Sequence, residues 1–212
     1  MSPYAWLDEL VGRLGYRGAD QDATSRFAAA TIERLESRLG GKLPADYAYF
    51  VARYGGAILG NEDFEVVAPL QEESPWGTDT RPETFYSLEP GKRWSIEEQL
   101  QTFADRLPAG VLPISHDAGG NQICLDVAGE FPGSVWFWDH EQRWFSQDLD
   151  ETCDELDAAG EATRGMSVHD MIRAWARLHR SELDRSPDYV GMYRLAPTFS
   201  DLMRSLVHEP FQ

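Results

Sequence analysis

Cysteine and histidine are scarce in this 212-residue chain, with two of the first and five of the second. Cys124 and Cys153 alone cannot form a disulfide framework, so the expected location is the cytoplasm. Cys124 lies inside the apolar run Ile123-Cys124-Leu125 and reads as a buried structural thiol. The histidines, at positions 116, 140, 169, 179 and 208, include no His-x-x-x-His pair that a helix could turn toward one metal ion. No Gly-x-Ser-x-Gly elbow occurs, and no Ser/His/Asp or Cys/His set stands out. No catalytic residue, metal site or cofactor is therefore expected. Long apolar runs are missing too: none approaches the roughly 18 residues of a membrane span. The first nine residues hold no basic segment and two acids, which does not read as a signal peptide.

Positive charge is the last shortage, and the most informative. Nineteen Lys and Arg face thirty-six Asp and Glu, for a formal charge of −17. Such a field repels nucleic acid and anionic lipid, so neither is an expected partner. It would speed encounter with a basic protein, although acidity also serves solubility alone.

What is present has clear periodicity. Trp6, Leu7, Leu10, Val11 and Leu14 predict a helix over 3–15, closed by Gly15. Phe27, Ile32, Leu35 and Leu39 predict a second over 24–39. Tyr47, Phe50, Val51 and Tyr54 give a third, with Pro44 in its first turn and Gly55-Gly56 as its stop. Residues 64–70 read as a strand. Residues 71–93, rich in Pro, Thr and acids, read as an irregular exposed excursion. Ser95 and Glu98 form a capping-box pattern for a helix to about 106, burying Ile96, Leu100 and Phe103.

Three strand-like runs follow, 111–115, 122–127 and 134–140, with Gly-, Asn- and Pro-bearing turns between them, predicting an antiparallel meander. Residues 141–165 are acidic with little apolar period and read as a solvated insertion. Ser167 and Asp170 open a helix with Val168, Met171, Ile172, Trp175 and Leu178 on one face. A linker holding Pro187 and Pro197 leads to a last helix capped by Thr198, burying Phe199, Leu202, Met203 and Leu206. The fold class is α+β, a central antiparallel sheet flanked by N-terminal and C-terminal helices.

Three sharper readings carry weaker claims. Asp139-His140-Glu141 lies near Asp117, Asn121 and Asp126, yet consecutive strand residues alternate faces, which argues against a metal hydrolase. The Asp117–Asn121 loop leads into a strand rather than a helix N-terminus, so it reads as turn chemistry and not as a phosphate cradle. Trp136 and Trp138 share one strand face, which reads as core covered by helices, with a partner groove as the alternative.

Several segments together resemble the SUKH superfamily, which also contains the fungal cell-wall-assembly regulators of Smi/Knr type. Leu43-Pro44-Ala45-Asp46-Tyr47 through Phe50 to Tyr54-Gly55-Gly56 is similar to that family's third-helix motif. Leu112-Pro113-Ile114-Ser115-His116-Asp117 through Gly120-Asn121-Gln122-Ile123-Cys124-Leu125-Asp126 is similar to its hairpin. Gly133-Ser134-Val135-Trp136-Phe137-Trp138-Asp139-His140-Glu141 is similar to its following strand, and Thr198-Phe199-Ser200-Asp201-Leu202 to its terminal helix. The resemblance covers roughly 25–140 and 196–208. It implies one SUKH-like domain over 1–212, elaborated by insertions at about 71–93 and 141–197.

The resemblance also implies a non-enzymatic immunity protein that neutralises a cognate polymorphic or contact-delivered toxin, often a basic nuclease. A regulatory protein-binding scaffold is the alternative. The candidate contacts are Asp117, Asn121, Asp139 and Glu141 at the hairpin end, with Asp148, Asp150, Asp154 and Glu155 in the acidic stretch, which reads equally as a solvated face. The toxin's identity and the oligomeric state stay open.

Overall fold

The computed structural model describes residues 2–17, 21–142, 145, 147–183 and 185–210, with residues 21–26 and 182 described by backbone alone. The fold is α+β. Three helices come first: α1 (Ala5–Arg13), α2 (Gln21–Leu39) and α3 (Ala45–Tyr54). Their apolar positions bury as the periodicity predicts, with Leu7, Leu35 and Phe50 at 0–1% exposure. The α3 stop divides its work between two glycines. A Cβ at Gly55 would sit 2.6 Å from the Val51 carbonyl oxygen, and Gly56 adopts φ +87°.

The β1 strand (Phe64–Ser74) outruns its expected end and turns into β2 (Gly77–Thr80), followed by β3 (Thr84–Phe85). The expectation of an irregular, exposed excursion over 71–93 is thereby overturned. Thr80, Thr84, Phe85, Tyr86 and Leu88 are all buried, because this segment supplies strand pairs and core. Helix α4 (Ile96–Thr102) buries Ile96 and Leu100. Its Ser95 takes the cap position with an extended backbone but makes no side-chain cap bond, and the residue is 1% exposed.

The meander follows as β4 (Val111–His116), β5 (Gln122–Asp126) and β6 (Val135–Trp138), all antiparallel. The chain then forms α5 (Leu149–Ala158), α6 (Val168–Leu178), β7 (Met192–Ala196), α7 (Phe199–Ser205) and β8 (Val207–Pro210). A five-stranded sheet runs β3-β4-β5-β6-β7, and a three-stranded sheet runs β2-β1-β8. Two expectations fail here. The linker around Pro187 and Pro197 contains β7, which pairs with β6. The acidic stretch contains α5, whose Thr152 and Leu156 are fully buried against α6. Arg143, Trp144 and Ser146 of that stretch lie outside the described residues.

The large sheet is covered on both faces. Leu112, Ile114, Ile123, Leu125, Val135 and Phe137 meet the helices of the main core. On the opposite face Cys124, Trp136 and Trp138 pack with Phe103, Leu107, Tyr189 and Met192. Trp136 and Trp138 are thus core, at 5% and 2% exposure, and Cys124 is fully buried with burial pushing its thiol well up. Two of the resembling motifs meet directly: Asp46 accepts from the Ser200 amide at 2.9 Å, and Tyr47 lies edge-on to Phe199 at 5.1 Å. Asp46 and Tyr47 therefore join α3 to α7.

Helix α6 meets the sheet through His169, whose ring stands edge-on to Trp138 at 6.3 Å and whose Nδ1 meets the Gln142 side-chain amide. Desolvation, helped by the nearby Arg173 and opposed by a hydrogen bond to the Arg106 backbone and by Asp170, lowers its pKa to about 4. Burial also lowers His116. A histidine whose folded value lies below its unfolded value of about 6.5 takes up protons more readily in the unfolded chain. Stability is therefore fully present above pH 6.5 and is lost as pH falls toward 4, by on the order of 2 kcal/mol for His169. Urea midpoints at pH 7, 6 and 5 should fall in that order, with a shallower slope in His169→Gln. An unchanged slope in that variant would refute the assignment.

Candidate partner-binding site

The candidate contacts divide into two groups on different elements. The first is the end of the β4–β5 hairpin. Asp117 Oδ1 accepts from the Asn121 amide at 2.9 Å, and its Oδ2 accepts from Asn121 Nδ2 at 3.0 Å and Thr80 Oγ1 at 3.3 Å. Asn121 Oδ1 accepts from the His140 amide at 3.2 Å and lies 2.9 Å from His140 Nδ1. Asp139 Oδ1 accepts from Trp76 Nε1 at 3.0 Å and from the Glu141 amide at 3.1 Å. The network ties the β1–β2 hairpin, carrying Trp76 and Thr80, to the ends of β4 and β6.

Asn121 and Asp139 are both 0% exposed. Buried polar groups that hydrogen-bond inward shape a turn and offer no surface, so these two leave the set of direct contacts. Asp117 is half-buried and Glu141 is exposed. At the other end of the sheet, buried Asp126 binds the β5–β6 turn in the same way. Its carboxyl accepts from the Gly129 amide at 2.6 Å, the Phe131 amide at 2.7 Å and the Tyr189 hydroxyl.

The second group is on α5. Asp148 caps this helix, accepting from the amides of Asp150 at 2.8 Å and Glu151 at 3.2 Å. Its inner face is anchored by Thr152 and Leu156, with Cys153 Sγ 3.2 Å from Met171 Sδ. Glu155 looks back to α6. It accepts from Trp175 Nε1 at 3.1 Å and Gln147 Nε2 at 3.3 Å, and lies 2.7 Å from His179 Nε2. Partial desolvation would raise its pKa, but the bonds from His179, Gln147 and Trp175 outweigh it and hold the carboxyl below its ordinary value. Glu155 therefore fastens two helices.

What α5 presents outward is Asp150, Glu151, Asp154 and Asp157, all exposed. Glu151 and Asp157 are additions to the candidates. Leu149, Cys153 and Leu156, spaced by four and three, were the signal that this was a helix with an outer face.

Elsewhere, an open cleft of about 390 Å³ is lined by Gln71, Glu72, Phe131, Trp136, Arg185 and Arg194. Among the described residues no group of three or more His, Cys, Asp or Glu is placed to hold a metal ion. Nor, among those residues, is any helix long and apolar enough to cross a membrane.

The model of the SMI1 / KNR4 family (SUKH-1) matches residues 27–156, from α2 into α5. The chain belongs to that family. A similar relative is the SPbeta prophage-derived uncharacterized protein YokK of Bacillus subtilis (strain 168), 36% identical over 120 residues. That alignment covers 52% of this chain and 60% of the relative's own length. No solved structure matches the chain. All eight candidate contacts fall inside the stretch matched by the SUKH-1 model, whereas α6, β7, α7 and β8 follow it.

Proposed function

We propose that this SUKH-1 protein is a non-enzymatic, cytoplasmic inhibitor that binds a cognate bacterial toxin domain and covers a basic active site. The observation that carries the reading is the outer face of α5. Five of its ten residues are acidic, none is basic, and its inner face is fixed by buried Leu156 and Thr152. A rigid acidic helix on a chain of charge −17 steers a basic partner and resembles the phosphate charge that a nuclease site is built to receive. Asp117 and Glu141 at the hairpin end would extend that face. The residues supply charge and shape and take no part in bond-making.

The test first captures the tagged protein from its native cells and identifies the bound partner by mass spectrometry, and the partner domain is then purified. Mixing the two purified proteins should give a stoichiometric complex on size exclusion, abolish toxin activity and weaken as salt rises. Separate elution at micromolar concentrations, with toxin activity intact, would reject the reading. A salt-resistant complex with a housekeeping protein would favour the regulatory-scaffold alternative.

A further inference from the structure

Among the described residues the Arg194 guanidinium meets no carboxylate, and it lies against two aromatic rings in the open cleft. Arg194 sits on β7 opposite Trp136 of β6, and its guanidinium carbon lies 5.0 Å from the Trp136 ring centre and 5.5 Å from that of Phe131. Its backbone amide donates to Glu72 Oε1 at 2.7 Å. Glu72 is otherwise occupied by Arg185, which donates to both carboxylate oxygens at 3.2 and 2.7 Å. Arg185 also donates to the Met192 carbonyl. Among the described residues, then, the cleft pairs one arginine with its single acid and leaves the second arginine against two aromatic rings.

We propose that this cleft is a docking site for a carboxylate-bearing side chain of a partner polypeptide, received by Arg194. The guanidinium is always charged and offers five donors in a planar fork, which matches a carboxylate two bonds at a time. Contact with Trp136 and Phe131 restricts the guanidinium before the ligand arrives and displaces water from part of it, which strengthens the pair. A volume of about 390 Å³ suits a side chain with an apolar neighbour laid on Phe131.

The −17 field opposes every anion alike, so the source is selected by contacts beyond charge, which a free phosphate lacks. An Asp or Glu within a peptide brings apolar and backbone contacts of its own. The cleft is lined from β1, β6, β7, the β5–β6 turn and Arg185 and includes no residue of α5, so the inference does not rest on the toxin reading.

The test follows the Arg194 Nε–Hε signal by NMR while N-acetyl-Leu-Glu-Leu-amide is added to millimolar concentrations. Parallel titrations use the Gln counterpart of the peptide and sodium phosphate at equal ionic strength. A saturating shift with the Glu peptide alone is expected. Arg194→Lys, which keeps the charge and loses the fork, should weaken it about tenfold. Arg194→Gln should abolish the response of neighbouring Trp136 Nε1–H while leaving the remaining backbone amides in place. No shift with the Glu peptide, an equal shift with the Gln peptide, or equal saturation by phosphate would each overturn the proposal.

Discussion

Replacing four exposed acids of α5 together, Asp150→Lys, Glu151→Lys, Asp154→Lys and Asp157→Lys, should weaken binding of the proposed toxin by about 100-fold or more. Each reversal adds two positive charges, taking the chain from −17 to −9, and all four fall on the outer face of one ten-residue helix. Fold should survive, because the buried face of α5 is untouched and Lys is a better helix former than Asp. Placing cations in the first turn opposes the helix dipole at a cost of a few tenths of a kcal/mol per residue. The control is an equal reversal at exposed Glu33, Glu62, Asp63 and Glu73, which gives the same net charge elsewhere. Calorimetric titration at low and physiological salt separates the two effects. A loss confined to the α5 variant supports a local acidic face. Equal losses would mean that only the overall field matters, and no loss would remove α5 from the interface.

Asp126→Ala should lower unfolding stability by about 3 kcal/mol or more, among the largest single effects expected in this chain. The side chain is fully buried and gathers the Gly129 amide, the Phe131 amide and the Tyr189 hydroxyl. Truncation strands these three donors around a fully buried carboxylate position. Tyr189 in turn holds the Glu130 amide at 3.0 Å and packs on Trp136 and Phe131, so the loss spreads through the β5–β6 turn to the sheet face beneath it. Gly129 cannot move aside and be refilled, since a Cβ there would meet the Tyr189 hydroxyl. Asp126→Asn, which preserves shape but replaces one accepting oxygen with a donor, should cost about half as much. Urea unfolding followed by tryptophan fluorescence reads both. A midpoint that does not move in Asp126→Ala would show that the turn holds by other means.

The parts of the fold readable from sequence were those where period and punctuation agree. In α3 an i, i+3, i+4, i+7 face ends in two glycines, and in β4–β6 continuous apolar runs are separated by Gly- and Asn-bearing turns. Two elements were hidden for different physical reasons. In β7, Met192–Ala196, half-buried Arg194 breaks a short apolar run, and prolines on either side read as a linker. In α5 the apolar stripe is only one residue wide and is outnumbered by acids, so it reads as solvated. The candidate site was legible as a set of residue types but not as directions. Nothing in the order of Asn121 and Asp139 says that both turn inward, because that depends on Trp76 and His140 arriving from strands distant in sequence. The same limit applies to Ser95, whose spacing to Glu98 suits a cap that the buried residue does not make.

Strand β1 is completed on one side by β2, its immediate successor, and on the other by β8, where Phe64 pairs with Pro210 and Val67 with Val207. During synthesis this divides the strand's fate in time. The β1–β2 hairpin can close as soon as it leaves the ribosome. The opposite edge, which includes Val66 and Val67, must wait until Val207–Pro210 have been made. Through that interval an apolar β-edge is available to any other nascent chain, and the folding yield of this protein becomes a matter of concentration as well as sequence.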